Sequence, residues 1–152
     1  MRKKKQSQKE TVFNESWLTK SLESLENDVW AESQDDSYLI STCLSLRKKK
    51  LKEYEIEDLR IMIGQDIGLR FLIPIAIQKL QTNILAEGDY YEGDLLMSVL
   101  NSDIAYWKQE IQNWKFVCEL FEQNTGRLKN EVSDHGLLKD IFNSGKSFKT
   151  IN

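Results

Sequence analysis

The densest group of residues that could do chemistry lies in residues 84–96, which read ILAEGDYYEGDLL. Between Leu85 and Leu95 stand four carboxylates, two adjacent tyrosines and no basic residue; the polar side chains are Glu87, Asp89, Tyr90, Tyr91, Glu92 and Asp94. Two carboxylates about 5–10 Å apart can serve as an acid and base pair, as they do in glycosidases. Acidic helical proteins commonly carry such groups without using them, so the pattern favours an enzyme only weakly.

The rest of the chain adds little catalytic chemistry. His135 is the only histidine, so neither a supported catalytic triad nor a three-histidine zinc site can be built. The glycines of GQDIG, Gly64 and Gly68, lack the lysine and the spacing of a phosphate-binding loop. Cys43 and Cys118 lie far apart and outside any CxxC pattern. The sequence therefore predicts no catalytic residue, no cofactor and no metal site.

Two basic runs provide the alternative of a nucleic-acid partner: RKKK at residues 2–5 and RKKKLK at 47–52. Several cations within six residues can displace phosphate counterions. No aromatic residue interleaves the second run, however, and six acidic residues with no basic ones occupy residues 21–46 just before it. A solvated helix end is the favoured interpretation, and a nucleic-acid-associated regulatory protein is the alternative.

Composition points to a globular protein with an acidic body. The 152 residues have a formal net charge of −3, but residues 1–10 hold five basic residues and one acidic residue. The remainder therefore has 16 basic and 23 acidic residues, a net charge of −7. Such a body repels nucleic acid and membrane phosphates and attracts basic proteins. The longest apolar run, FLIPIAI at 71–77, is far shorter than the roughly 20 residues of a membrane span. No apolar segment of a signal peptide follows MRKKK, so a cytoplasmic protein is expected.

The chain has only one proline and seven glycines, and helix-forming residues dominate between them. This composition predicts an all-α fold, a single-domain bundle of about six to eight helices. The domain is expected to cover 13–152, after a basic disordered tail at 1–12. Its central helix is apolar and contains Pro74, which either kinks it or starts its second half. Other helices are predicted at about 15–26, 36–48, 56–65, LLMSVL, 105–123 and 134–143. Residues 105–123 carry an apolar stripe at steps of four and three: Trp107, Ile111, Trp114, Cys118 and Phe121.

These elements place the acidic cluster at a helix start. Asp94, together with Glu92, falls in the first turn of the LLMSVL helix, where negative charge is favourable. A capping box formed by Asp89 and Glu92 is the alternative. Capping explains two of the carboxylates and leaves Glu87 and the two tyrosines without a local role.

A second stretch, ENDVWAESQDDSYL at 26–39, also sets aromatic residues beside carboxylates, including Asp35, Asp36 and Tyr38. Aromatic side chains can anchor an interface while the surrounding charges steer a basic partner onto it. Both stretches are therefore candidate contact surfaces, and ordinary helix starts and turns are the alternative for each.

The sequence resembles the immunity proteins of bacterial contact-dependent growth inhibition systems. The resemblance covers about residues 22–107, and its most specific pieces, in order, are DLRIMIGQ, GLRFLIPIA and LAEGDYYEGDLL. Glu92 stands where the family often has proline, and Glu55 where it has a threonine-type cap. Both departures concern helix starts.

The resemblance implies a small cytoplasmic protein, not an enzyme, that binds and neutralises the C-terminal toxin domain of a cognate effector. A basic ribonuclease resembling ribonuclease A is the toxin class it favours. The expected mechanism is occlusion of the toxin's active site by an acidic surface, and the protein is expected to be a monomer with no direct nucleic-acid or membrane partner. The expected toxin contacts are Glu87, Asp89, Tyr90, Tyr91, Glu92 and Asp94, with Asp35, Asp36 and Tyr38 as a second patch, all chosen by charge and expected exposure.

Overall fold

The computed structural model describes residues 13–32 and 37–152. Over these ranges the chain forms nine α-helices and no β-strand, which confirms the all-α class. The helices are α1 (Leu22–Glu26), α2 (Tyr38–Lys48), α3 (Ile56–Gly64), α4 (Leu69–Thr82), α5 (Asp94–Leu100), α6 (Ile104–Gln109), α7 (Ile111–Gln123), α8 (Thr125–Glu131) and α9 (His135–Lys149). The expected basic tail at 1–12 lies outside the described residues.

Helix α4 occupies the centre of the bundle. Its residues from Leu69 to Ile77 are all buried, apart from Arg70, as expected for a helix that is apolar on nearly every side. Pro74 lies inside this helix and neither starts a second helix nor ends the first. Helices α3 and α5 pack against α4 and against each other, while α9 packs on α5 and α7. No helix among the described residues is long and apolar enough to cross a membrane.

Helix starts follow local capping chemistry. The Ser37 hydroxyl accepts the Ile40 amide, 3.2 Å away, at the start of α2. Glu55 and Asp58 form a reciprocal capping box at the start of α3, where the Glu55 amide donates to Asp58 over 2.9 Å. Asp134 accepts the Leu137 amide, 2.9 Å away, at the start of α9. The predicted helix positions near 36, 56 and 134 are correct for this reason.

Two predicted helices are divided in the structure. The expected helix at 15–26 is a 3-10 helix at Glu15–Thr19 followed by α1, because Lys20 and Ser21 are extended and Ser21 caps α1. The expected helix at 105–123 ends at Gln109 and begins again at Ile111, since Glu110 has non-helical dihedral angles. The break at Glu110, together with α8, brings the α-helices among the described residues to nine, against the expected six to eight.

The break at Glu110 also interrupts the predicted apolar stripe. Trp107 is fully buried and its indole N–H donates to the Ser102 hydroxyl over 2.9 Å, whereas Trp114 donates to the Phe148 carbonyl over 2.9 Å. Ile111, between them, is 43% exposed, so the stripe is not continuous. A buried indole N–H requires an acceptor, and the divided helix lets each tryptophan reach its own.

Candidate functional site

The acidic cluster forms a loop that a single buried carboxylate holds together. Asp94 is the first residue of α5 and is 3% exposed. Its Oδ1 accepts the Gly88 amide over 2.7 Å, and its Oδ2 accepts the amides of Tyr90 and Tyr91 over 3.1 and 3.4 Å. Hydrogen bonds to a charged acceptor are stronger than neutral ones, so this carboxylate fixes the path of residues 88–91.

Helix α3 supplies a clamp beneath the same loop. The Arg60 guanidinium pairs with Glu57 one turn earlier, with Nη2 donating to Oε2 over 2.9 Å and Nε donating to Oε1. Arg60 Nε also lies 3.8 Å from Asp94 Oδ2. The Tyr90 ring covers the guanidinium, with its centroid 4.2 Å from Cζ. We call Glu57, Arg60 and Asp94 the clamp; it joins α3, the loop and α5.

The two glycines of the loop are required by this geometry. A Cβ on Gly88 would lie 2.7 Å from Glu57 Oε1 and 3.1 Å from Asp94 Oδ2, so a side chain there would displace the clamp. Gly93 has a φ of 92° and is the N-cap of α5, which a residue with a side chain would adopt only under strain. Because Gly93 is the N-cap, the capping box proposed for Asp89 and Glu92 is wrong, and so is the first-turn position of Glu92, which precedes the helix. The first-turn position of Asp94 is confirmed.

Of the six residues expected to be exposed, the structure exposes four. Tyr90 is 72% exposed, Glu87, Asp89 and Glu92 also face solvent, and Tyr91 is half-buried. The expected exposure of Asp94 is wrong, because its buried carboxylate accepts hydrogen bonds from three backbone amides and lies beside Arg60. The other five form what we call the loop surface: Glu87, Asp89, Tyr90, Tyr91 and Glu92.

Two neighbouring carboxyls at the base of the loop differ in acidity. The hydrogen bonds from Arg60 lower the pKa of Glu57. The adjacent Glu57 carboxylate raises the pKa of Asp89, mainly through the hydrogen bond that a protonated Asp89 would donate to it. Burial raises the pKa of the Tyr91 phenol. The clamp thus favours the charged form of Glu57 and makes Asp89 bind a proton more readily than an isolated aspartate does.

The second candidate stretch is anchored by Arg47. This arginine is 1% exposed, pairs through Nη1 with Glu26, and donates from Nη2 to the Asp28 carbonyl over 2.6 Å. The Trp30 ring lies over its guanidinium at 4.1 Å. Tyr38 is 86% exposed, and the two apolar residues that follow it in the sequence, Leu39 and Ile40, are exposed as well. Asp35 and Asp36 lie outside the described residues.

The basic run at 47–52 is largely committed to carboxylates of the chain itself. Besides Arg47, Lys48 Nζ lies 3.1 Å from Glu23 and Lys49 Nζ lies 2.8 Å from Asp58. The expectation of a solvated helix end is wrong for Arg47, which is buried. Three cations of the run are already paired, so the structure gives little support to phosphate binding here.

Glu57 and Arg60 are the site residues that sequence reasoning missed. Their spacing of three along a helix is a signal for an ion pair. The pattern in α3 alone does not reveal that this pair lies under a loop about 30 residues further along the chain. That association depends on the packing of α3 against α5.

The geometry defines a class of protein: a helical scaffold that presents a pre-formed acidic and aromatic surface. The comparisons give the family. The family model of the CDI immunity proteins, which are the immunity proteins of contact-dependent growth inhibition, matches residues 24–117, more than half of the chain. The protein belongs to this family. No curated protein and no solved structure shows significant similarity to the chain.

Proposed function

We propose that this immunity protein neutralises a basic toxin domain, a ribonuclease resembling ribonuclease A, by covering its active site with the loop surface. Family membership supplies the toxin-neutralising role. The observation that carries the mechanism is the pre-formed loop, in which Tyr90 is 72% exposed yet packed on Arg60, and three carboxylates face solvent around it. A large aromatic side chain held in position before binding loses little entropy on association.

Charge complementarity supports the nuclease as partner. A ribonuclease must present cations around the phosphates of its substrate, and an acidic loop can occupy that site in place of RNA. Complementary charges mainly raise the association rate and select the partner. Inhibition would then need no chemistry from the immunity protein, which we propose acts in the cytoplasm as a monomer and not as an enzyme. Tyr38, with Asp35 and Asp36, remains the proposed second contact patch.

Reversal of charge on the loop surface tests this proposal. The double variant Asp89→Lys and Glu92→Lys should associate with the cognate toxin domain at least tenfold more slowly at low salt and should protect cells less well, because both positions would repel a basic partner. Association rates are measured by surface plasmon resonance, and protection by growth during toxin expression.

The matched control reverses two exposed carboxylates on α7 and α8, Glu119→Lys and Glu131→Lys, which lie outside the family match. Its total change in charge is the same. Equal slowing of both double variants would assign the effect to overall charge, and an unchanged rate for Asp89→Lys with Glu92→Lys would remove the loop surface from the interface. Circular dichroism establishes that both variants remain folded.

A further inference from the structure

A cleft opens beside the loop surface, between the C-terminal end of α3 and one side of α5. This cleft has a volume of about 270 Å³, and its lining includes Arg60, Gly64, Tyr90, Tyr91, Met97 and Ser98.

 Pockets for small ligands usually span roughly 300–1,000 Å³, so the cleft beside the loop suits a single side chain of a partner better than a cofactor.

The charges around this cleft favour a cation. The clamp beneath it combines one guanidinium with two carboxylates, a formal charge of −1, and Asp89 and Glu92 add two further carboxylates on the adjoining loop. The positive charge of Arg60 is already paired with Glu57 and covered by the Tyr90 ring. An anionic side chain entering the cleft would therefore meet repulsion.

The walls of the cleft suit a long basic side chain in particular. Tyr90 and Tyr91 place aromatic rings beside it, and cations are attracted to the faces of such rings. Met97 offers an apolar surface to a methylene stem, while the Ser98 hydroxyl can accept a hydrogen bond. We infer that the cleft receives one arginine or lysine side chain of the cognate toxin; this inference rests on the proposed function.

Filling the cleft from α3 tests the inference. Gly64 lines the cleft, and a Cβ placed on it would meet only Ser98 Oγ, at 3.6 Å, an ordinary contact. Gly64→Phe should therefore occupy the cleft without disturbing the core and should weaken toxin binding at least tenfold, mainly through faster dissociation. Gly64→Ala is the matched control and should bind as the wild type does. Ser98→Leu fills the same cleft from α5 and is the second variant, and thermal unfolding checks the fold of all three.

A double-mutant cycle identifies the occupant. Each arginine and lysine of the toxin domain is replaced by alanine, and each variant is titrated against wild type and Gly64→Phe by calorimetry. One toxin variant should lose at least tenfold in affinity for the wild type. The same variant should bind Gly64→Phe nearly as well as the unsubstituted toxin does, because the filled cleft has already lost that contact. Additive losses for every toxin variant would overturn the inference.

The outcomes separate this inference from the function on which it rests. If Gly64→Phe and Ser98→Leu bind normally while reversal of Asp89 and Glu92 slows association, the cleft is empty in the complex and the loop surface is still the interface. If neither set of variants affects binding, the proposed function fails as well.

Discussion

At the scale of single residues, Asp94 has a role opposite to the one its sequence context indicates. An acidic residue in an acidic, glycine-containing segment is expected at the surface, yet three amides and Arg60 converge on this buried carboxylate. Its burial depends on the folding back of residues 88–91, which no spacing in the sequence specifies. The charge that makes the loop surface acidic and the charge that shapes the loop therefore belong to different residues.

The substitution Asp94→Asn tests this structural role. It keeps the shape of the side chain but replaces one acceptor oxygen with an NH₂ group that faces amide donors, so we expect the free energy of unfolding to fall by about 1.5–3 kcal/mol. Glu92→Gln, at an exposed position two residues earlier, should change it by no more than about 0.5 kcal/mol. Urea denaturation measures both variants. Equal effects would mean that the Asp94 carboxylate does not hold the loop.

At the scale of helices, sequence patterns predict where a helix lies better than they predict whether it is continuous. Helices α2 and α3 start close to where the pattern places them, because Ser37 and the Glu55–Asp58 capping box act locally. No proline or glycine marks the break at Glu110 in the sequence. The tryptophans on either side of it, Trp107 and Trp114, each donate to an acceptor outside their own helix. The clamp is likewise invisible in the sequence, because Glu57 and Arg60 meet the loop only after α3 has packed on α5.

The packing of α9 on α7 gives the prediction at this scale. A Cβ on Gly145 would lie 2.5 Å from Phe121 Cζ, and the Phe121 ring is itself buried and in edge contact with Phe142. Gly145→Ala should therefore destabilise the fold by about 1–3 kcal/mol through overpacking.

Gly126, in α8, provides the matched control, because a Cβ built there would meet nothing within 4 Å beyond its chain neighbours and the backbone of its own helix. Gly126→Ala should stabilise the fold by about 0.4–1 kcal/mol, since alanine restricts the unfolded chain. Chemical denaturation compares the two variants. A neutral Gly145→Ala would show that the Phe121 ring moves aside at little cost.

At the scale of the whole molecule, charge separates the proposed toxin binding from the nucleic-acid alternative. Residues 1–10 carry a net charge of +4, from five basic residues and one acidic residue, against −7 for the remainder. These first residues oppose the attraction of the acidic body for a basic protein, and they supply cations for any contact with RNA. The same deletion therefore has opposite effects on the two kinds of partner.

Replacement of residues 1–10 by a single methionine should accelerate association with the toxin domain severalfold at low salt. The gain should shrink as salt is added, because the Debye length falls from about 30 Å at 0.01 M to about 8 Å at 0.15 M ionic strength. Stopped-flow fluorescence at several salt concentrations measures the rate, and the full chain at the same concentrations is the control. Toxin association that is no faster after the deletion would contradict the proposed toxin binding by the acidic body. Salt-sensitive RNA binding by the full chain that the deletion abolishes would then favour the nucleic-acid alternative, because a nucleic acid gains from the basic residues.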